Sequence, residues 1–128
     1  MSKPWKPENH PSMSPFIITA DAKRLIAFLQ TAFEGKVSHR FDLPDGTVMH
    51  AEVRIHDSIG MFGEAGEEWM PVWNSIHLYV KDVDTTFKRA INAGATSVQE
   101  PKQKDGESDK RGGVKDQDGN TWWIASQK

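Results

Sequence analysis

A strand followed by an Asp-capped amphipathic helix occurs twice in this chain, and the two copies keep one offset. Ser14 opens SPFIIT and Ser75 opens SIHLYV, while Asp21 and Asp82 begin the helices; both spacings are 61 (75 − 14 and 82 − 21). Asp is a strong helix N-cap because its carboxylate accepts backbone N–H groups that the first turn leaves unpaired. After Asp21, apolar Ala22, Leu25, Ile26, Leu29 and Phe33 recur every three or four residues, and Gly35 is the expected stop. After Asp82, Val83, Phe87, Ala90 and Ile91 do the same, with Gly94 as the stop. β-prone runs follow each helix: VSHRFD, VMHAEVRI and SIGMF in the first half, TSVQ, GVKD and TWWIAS in the second. Pro44-Asp45-Gly46 and Gln117 to Asn120 read as turns. Repetition at a fixed period predicts an internal βαβββ duplication, an α+β chain of two modules.

With 128 residues there is room for a single domain and no second independent core. Its expected parts are a proline-rich arm at 1–13, a first module at 14–63, a connector at 64–73 and a second module at 74–126. Pro4, Pro7 and Pro11 keep the arm extended, and Trp5 within it either packs on a partner or frays. A 37% apolar content is enough to fold, and zero cysteines exclude disulfides, thiolate zinc sites and cysteine nucleophiles. A net charge of −2 provides no positive field for a phosphate backbone or an anionic membrane, so no nucleic-acid or membrane partner is expected. No apolar run approaches the roughly 20 residues of a membrane span, and the N-terminus lacks a signal peptide's apolar stretch. The expected location is cytoplasmic.

Three segments, PDGTVMHAEVRIHDS (44–58), WNSIHLYVKDVDTTFKRAINAGAT (73–96) and RGGVKDQDGNTWWIAS (111–126), cover more than half the chain. They resemble the vicinal oxygen chelate superfamily of glyoxalases, bleomycin-resistance proteins and extradiol dioxygenases, most narrowly its PhnB-like, glyoxalase-related branch. The resemblance implies a glyoxalase/bleomycin-resistance-like fold whose two βαβββ modules form curled mixed sheets, a ligand cup on each sheet and a homodimer. One such scaffold serves unrelated activities, so the likeness speaks for fold before reaction. It also implies metal-ligand positions near Ser14, Met61, Ser75 and Trp123. None of these side chains is a usual ligand, since divalent ions here need imidazole nitrogen or carboxylate oxygen. The family's usual metal site is therefore expected to be absent, with no cofactor.

Alternation nevertheless places His50, Glu52 and Arg54 on one face of the strand Val48 to Ile55. It places Ser75, His77 and Tyr79 on one face of theirs. Convergence of His50, Glu52 and His77 has three readings: an unusual two-His-one-carboxylate metal site, a metal-free acid/base cluster, or a hydrogen-bonded wet groove. Phe16, Phe41, Trp69, Trp73 and Trp123 are candidate aromatic walls, whereas Trp122 faces the opposite way and belongs to the core. The polar stretch Lys102 to Gly113 reads as a loop. Its Arg111 either contacts an anionic ligand group or is simply solvated.

The leading expectation is a small-molecule binding protein of the antibiotic-resistance type, sequestering an aromatic or cationic ligand in an aromatic cup. The alternative is a glyoxalase-like lyase, isomerase or dioxygenase using His50, Glu52 and His77, with or without a divalent metal, and Arg111 to orient substrate. A non-catalytic accessory role in dimerisation is the third.

Overall fold

Both expected caps form. Asp21 accepts the backbone N–H of Arg24 at 3.1 Å, and Asp82 accepts that of Thr85 at 3.2 Å. The computed structural model describes residues 4–67 and 70–128. In the first module β1 (Phe16–Thr19) and α1 (Ala22–Phe33) precede β2 (Lys36–Asp42), β3 (Val48–Ile55) and β4 (Ser58–Glu64). In the second, β5 (Ser75–Tyr79) and α2 (Val83–Asn92) precede β6 (Thr96–Lys102), β7 (Asp109–Lys115) and β8 (Thr121–Gln127). Each module closes one mixed four-stranded sheet, ordered β1-β4-β3-β2 and β5-β8-β7-β6. The first strand of each module runs parallel to its last, and the remaining pairs are antiparallel. Register repeats the duplication: Phe16 pairs with Met61 and His77 with Trp123, and 77 − 16 is again 61.

The helices fill the space between the sheets. α1 packs on β3 and β4, α2 packs on β6, β7 and β8, and the two helices touch. From α1 come buried Leu25, Ile26, Phe28, Leu29 and Phe33, and from α2 come Val83, Phe87 and Ala90. Phe33 meets Trp122 of β8 with ring centroids 5.2 Å apart, which joins the two modules in one core. Each such fully buried side chain contributes about 1.5–3 kcal/mol. A polar clasp reinforces the junction. The turn between β7 and β8 offers Asp118 to the backbone N–H of Ala20 (3.1 Å), to Arg24 Nη2 (3.2 Å) and to the Thr19 hydroxyl. Buried Asp116 anchors that turn, accepting from the N–H groups of Asp118 and Asn120, the Asn120 amide and the Trp122 indole.

Two details differ from the sequence reading. Glu34, not Gly35, takes the left-handed conformation that ends α1, with φ 59°. Gly35 is needed for space, because a Cβ there would lie 2.7 Å from Val53 Cγ1. The expected loop from Lys102 to Gly113 shrinks to 103–108, since β7 begins at Asp109. Its charges fit a strand because they pair locally, Arg111 with Asp109 and Glu107, and Lys110 with Asp84. Among the described residues no helix is long and apolar enough to cross a membrane.

Candidate functional site

With the helices on the inner faces, strand alternation leaves the outer faces to polar and aromatic side chains. On β3, Ala51, Val53 and Ile55 are buried against the core, while His50, Glu52 and Arg54 are half-buried on the outside. A bulge modifies the pattern at the start of the strand. Phe41 pairs with His50 but Asp42 pairs with Val48, so Met49 is the extra residue. The bulge turns Val48 into the core and Met49 outward.

The outer face of the first sheet forms a groove of about 760 Å³, walled by Phe16, Phe41, Leu43 and Met49, with His39 and His50 at its polar side. The His50 ring lies 5.9 Å from that of Phe16 and 5.8 Å from that of His39. Gly63 lets the strands close around it, since a Cβ there would stand 2.9 Å from the Met49 carbonyl oxygen. Glu64 is the carboxylate of the lining, and its Oε1 accepts the N–H of Ala22 at 3.2 Å.

Beside this groove Glu52 receives two imidazoles. His50 Nε2 lies 3.0 Å from Oε2, and His10 Nε2 lies 3.0 Å from Oε1. His10 arrives from the proline-rich arm, which Arg54 also holds through a bond to the Asn9 carbonyl at 2.6 Å. Trp5 of the same arm stays 85% exposed, with Lys6 Nζ 5.4 Å from its ring.

The outer face of the second sheet carries a different constellation. Arg111 Nε donates to His77 Nε2 at 3.1 Å, Nη1 to Glu107 at 3.2 Å and Nη2 to Asp109 at 3.0 Å. Asp109, itself buried, also accepts the Tyr79 hydroxyl at 2.7 Å. That bond, with burial, pushes the Tyr79 hydroxyl above the usual phenol value. Burial and the adjacent guanidinium hold His77 below the ordinary imidazole value, with Asp109 pulling the other way. Because His77 Nε2 accepts from Arg111, the neutral ring carries its proton on Nδ1. Trp123 lies beside His77 in register and donates its indole N–H to Ser75 Oγ at 3.1 Å. A recess of about 300 Å³ opens here, lined by His77, Arg111 and Trp123 with Gln99, Lys102, Lys104 and Glu107.

The structure thus brings Phe16, Phe41, His50, Glu52 and Arg54 together on one sheet, and His77, Tyr79, Arg111 and Trp123 together on the other. His77 is not joined to His50 and Glu52 within the chain, because the two strands belong to different sheets with both helices between them. His10 takes the second-histidine position beside Glu52 instead. Trp73 is 81% exposed and lies over Gly119, whose Cβ would stand 3.0 Å from its indole nitrogen, outside either lining. Trp69 lies outside the described residues. Ser14 precedes β1, and Met61, Ser75 and Trp123 offer a thioether, a hydroxyl and an indole, so that set does not fit a divalent ion. Among the described residues no group of three His, Cys, Asp or Glu is spaced to hold one.

Sequence reasoning passed over His39, Glu64, Met49 and His10. His39 was readable, since it sits two residues from Phe41 on the same strand face. His10 carried no signal, because nothing in an extended arm fixes where it docks.

A family model for a glyoxalase-like domain matches residues 15–125. An uncharacterized protein of Mycobacterium bovis is 36% identical over 99 residues, covering 69% of this chain and 65% of that protein. One of Mycobacterium tuberculosis, strain H37Rv, is 36% identical over 99 residues, covering 69% of this chain and 58% of its own length. The chain therefore spans less than two thirds of the curated relatives it matches. Among solved structures, TioX from a Micromonospora species superposes with a TM-score of 0.77 at 24% identity, covering 92% of this chain and 99% of that one. The fosfomycin resistance protein FosX from Mesorhizobium loti gives 0.68 at 13% identity, with 92% of each chain covered. Glyoxalase I from Zea mays gives 0.72 at 16%, covering 88% of this chain and 43% of that one. At these identities the structures speak for a shared fold.

Proposed function

We propose that this chain, which belongs to the glyoxalase-like domain family, is a small-molecule binding protein that holds an aromatic, neutral or cationic ligand on its first sheet. One observation carries the reading: a groove of about 760 Å³ with Phe16, Phe41, Leu43 and Met49 as walls and Glu64 as its carboxylate. Pockets that retain small molecules are mostly apolar with a few orienting polar groups, and this groove has that composition. Aromatic walls favour flat ligands by about 0.5–1.5 kcal/mol per good ring contact. A carboxylate at the rim favours a cation over an anion. The test is calorimetric titration with a planar tricyclic cation of the acridine type, repeated on Phe41→Ala, whose side chain is exposed and dispensable to the core. Saturable micromolar binding lost in the variant supports the proposal; no binding to the cation or to an uncharged polycycle overturns it.

The His50–Glu52 contact favours a second reading, a glyoxalase-like lyase or isomerase. In the tautomer that donates Nε2–H to Glu52, His50 keeps a basic Nδ1 lone pair beside an apolar groove, suited to removing a proton next to a carbonyl. A Glu52→Gln variant that retains full turnover of a candidate substrate refutes this version. Homodimer formation belongs to the same proposal, as does the narrower PhnB-like kinship: exposed Phe16, Phe41, Met49 and Tyr79 leave both outer faces with apolar area for a second copy. Light scattering on the eluting protein decides between one chain and two.

A further inference from the structure

Very little attaches the proline-rich arm to the first sheet. Pro4, Pro7, Pro11 and Pro15 lack the N–H groups that would let the arm extend the sheet, and among the described residues no strand forms before β1. None of residues 4–15 is buried. The arm's backbone meets β4 at Pro15, whose carbonyl accepts the Met61 N–H at 2.9 Å, and it turns on itself where the His10 N–H bonds the Pro7 carbonyl at 3.3 Å. Two side-chain ties hold the stretch beyond: Arg54 to the Asn9 carbonyl, and His10 to Glu52. A segment with no buried anchor and few bonds opens readily, because the entropy of ordering its residues opposes docking.

The docked arm shields a carboxylate. The Glu52 side chain is 12% exposed, and the His10 side chain on it 16%. In register, Phe16, Met61, Glu52 and His39 form one row across the four strands, and both ends of that row line the apolar groove. Glu52 Oε2 is held by His50, another lining residue, and Oε1 by His10. A carboxylate only accepts, so both imidazoles donate to it. When His10 leaves, Oε1 loses its donor while Oε2 keeps its own.

We propose that the arm is a displaceable strap and that His10 is an internal stand-in for a cationic ligand group. Docked, the histidine occupies Glu52 Oε1. Released, it adds Glu52 to Glu64 as a second carboxylate on the groove side of the sheet. His10 thereby sets how strongly this face prefers cations, and a ligand whose positive charge reaches Glu52 takes its place. That preference rests on the function proposed above, whereas the strap itself does not. By linkage, whatever the docked arm costs the cation, the cation costs the docked arm.

Two readouts separate strap from stand-in. Carbodiimide with glycinamide converts accessible carboxylates to amides, and peptide mapping by mass spectrometry gives the rate at Glu52, with exposed Glu107 on the other sheet as reference. Arg54→Gln frees Asn9 but leaves His10 in place, and His10→Ala removes the occupant; neither side chain belongs to the core. Both should speed labelling of Glu52 about fivefold or more and leave Glu107 unchanged. The second readout is calorimetric titration at low salt with cationic 9-aminoacridine and uncharged acridone. His10→Ala should bind the cation about fivefold more tightly, the size of one added charge contact in water, and acridone within about twofold of the parent chain. In the parent chain, 9-aminoacridine should speed cleavage after Glu8 by glutamyl endopeptidase, and acridone should not.

A Glu52 labelling rate in Arg54→Gln equal to that of the parent means that the arm does not open, and it overturns the strap whatever the groove binds. Faster labelling with unchanged cation affinity in His10→Ala overturns the stand-in role. Equal gains for cation and acridone do so too, since a carboxylate has no part in them. If neither dye binds, the function proposed for the groove fails and the stand-in role with it, while the labelling rates still decide the strap.

Discussion

Replacing Trp122 by Phe tests how strongly buried Asp116 anchors the β7–β8 turn that carries the clasp to the first module. The substitution keeps an aromatic ring against Phe33 but removes the indole N–H that reaches Asp116 Oδ2 at 2.9 Å. Both partners are buried, Trp122 at 3% and Asp116 at 7% exposure, so water cannot replace the lost donor. A hydrogen bond to a charged group contributes about 1.5–3 kcal/mol, and the smaller ring adds a cavity cost on the order of 1 kcal/mol. Trp122→Phe should therefore destabilise the chain by roughly 2–4 kcal/mol, a fall in Tm of about 8–15 °C for a domain of this size. Urea unfolding followed by far-ultraviolet circular dichroism measures it without relying on the altered fluorophore. Asp116→Asn completes a double-mutant cycle. It turns one of the oxygens facing Asn120 and Trp122 into a donor, and its cost should overlap with that of Trp122→Phe by about 1–2 kcal/mol. A loss under about 0.5 kcal/mol for Trp122→Phe, or additive single effects, would refute the reasoning.

Three other perturbations follow from local geometry. Gly63→Ala places a Cβ 2.9 Å from the Met49 carbonyl oxygen, and backbone there cannot yield, so a loss of about 1–3 kcal/mol is expected by thermal denaturation; an unchanged Tm contradicts the close approach. His77 has its folded-state pKa below the unfolded value of 6.5, so the native state binds fewer protons between the two values. Its contribution is complete above pH 6.5 and is lost as pH falls through that window, and His77→Gln should flatten that slope of stability against pH. Its proton resonances should titrate with a midpoint below 6.5, and a midpoint above it reverses the assignment. His10→Ala removes one of the two ties between arm and β3, leaving Arg54 on Asn9. Glutamyl endopeptidase cleavage after exposed Glu8 should accelerate several-fold while the Tm moves little, and an unchanged rate means that the histidine does not tether the arm.

The repeat and its faces were legible because each depends on short-range periodicity. Asp21 and Asp82 declared the helices, and alternation on β3 and β5 placed His50, Glu52, His77 and Tyr79 on outer faces, as found. What escaped depends on contacts between distant segments. Asp109 read as loop because its partners, Tyr79 and Arg111, assemble only when β5 and β7 flank β8. The expected meeting of His77 with Glu52 assumed a shared cup, and no pattern along one strand reveals which sheet faces which. His10 supplied the missing imidazole from an arm whose prolines predict extension and nothing about its destination. The Met49 bulge was hidden for a simpler reason: a single slipped residue leaves hydrophobicity unchanged while exchanging which neighbour is buried.

Placing both helices between the sheets has a consequence for how such a chain can change over generations. The core draws on Ala51, Val53 and Ile55 of β3, while every second residue of the strand lies outside that obligation. Exposed positions such as Phe41, Met49 and Lys102 can be exchanged at about 0.5 kcal/mol or less, so drift across the outer faces rarely threatens the fold. Selection can therefore rewrite the chemistry of one face while the other keeps its own. The present contrast between an apolar groove and a lysine-rimmed recess, on two modules of one plan, is the kind of divergence that this freedom permits.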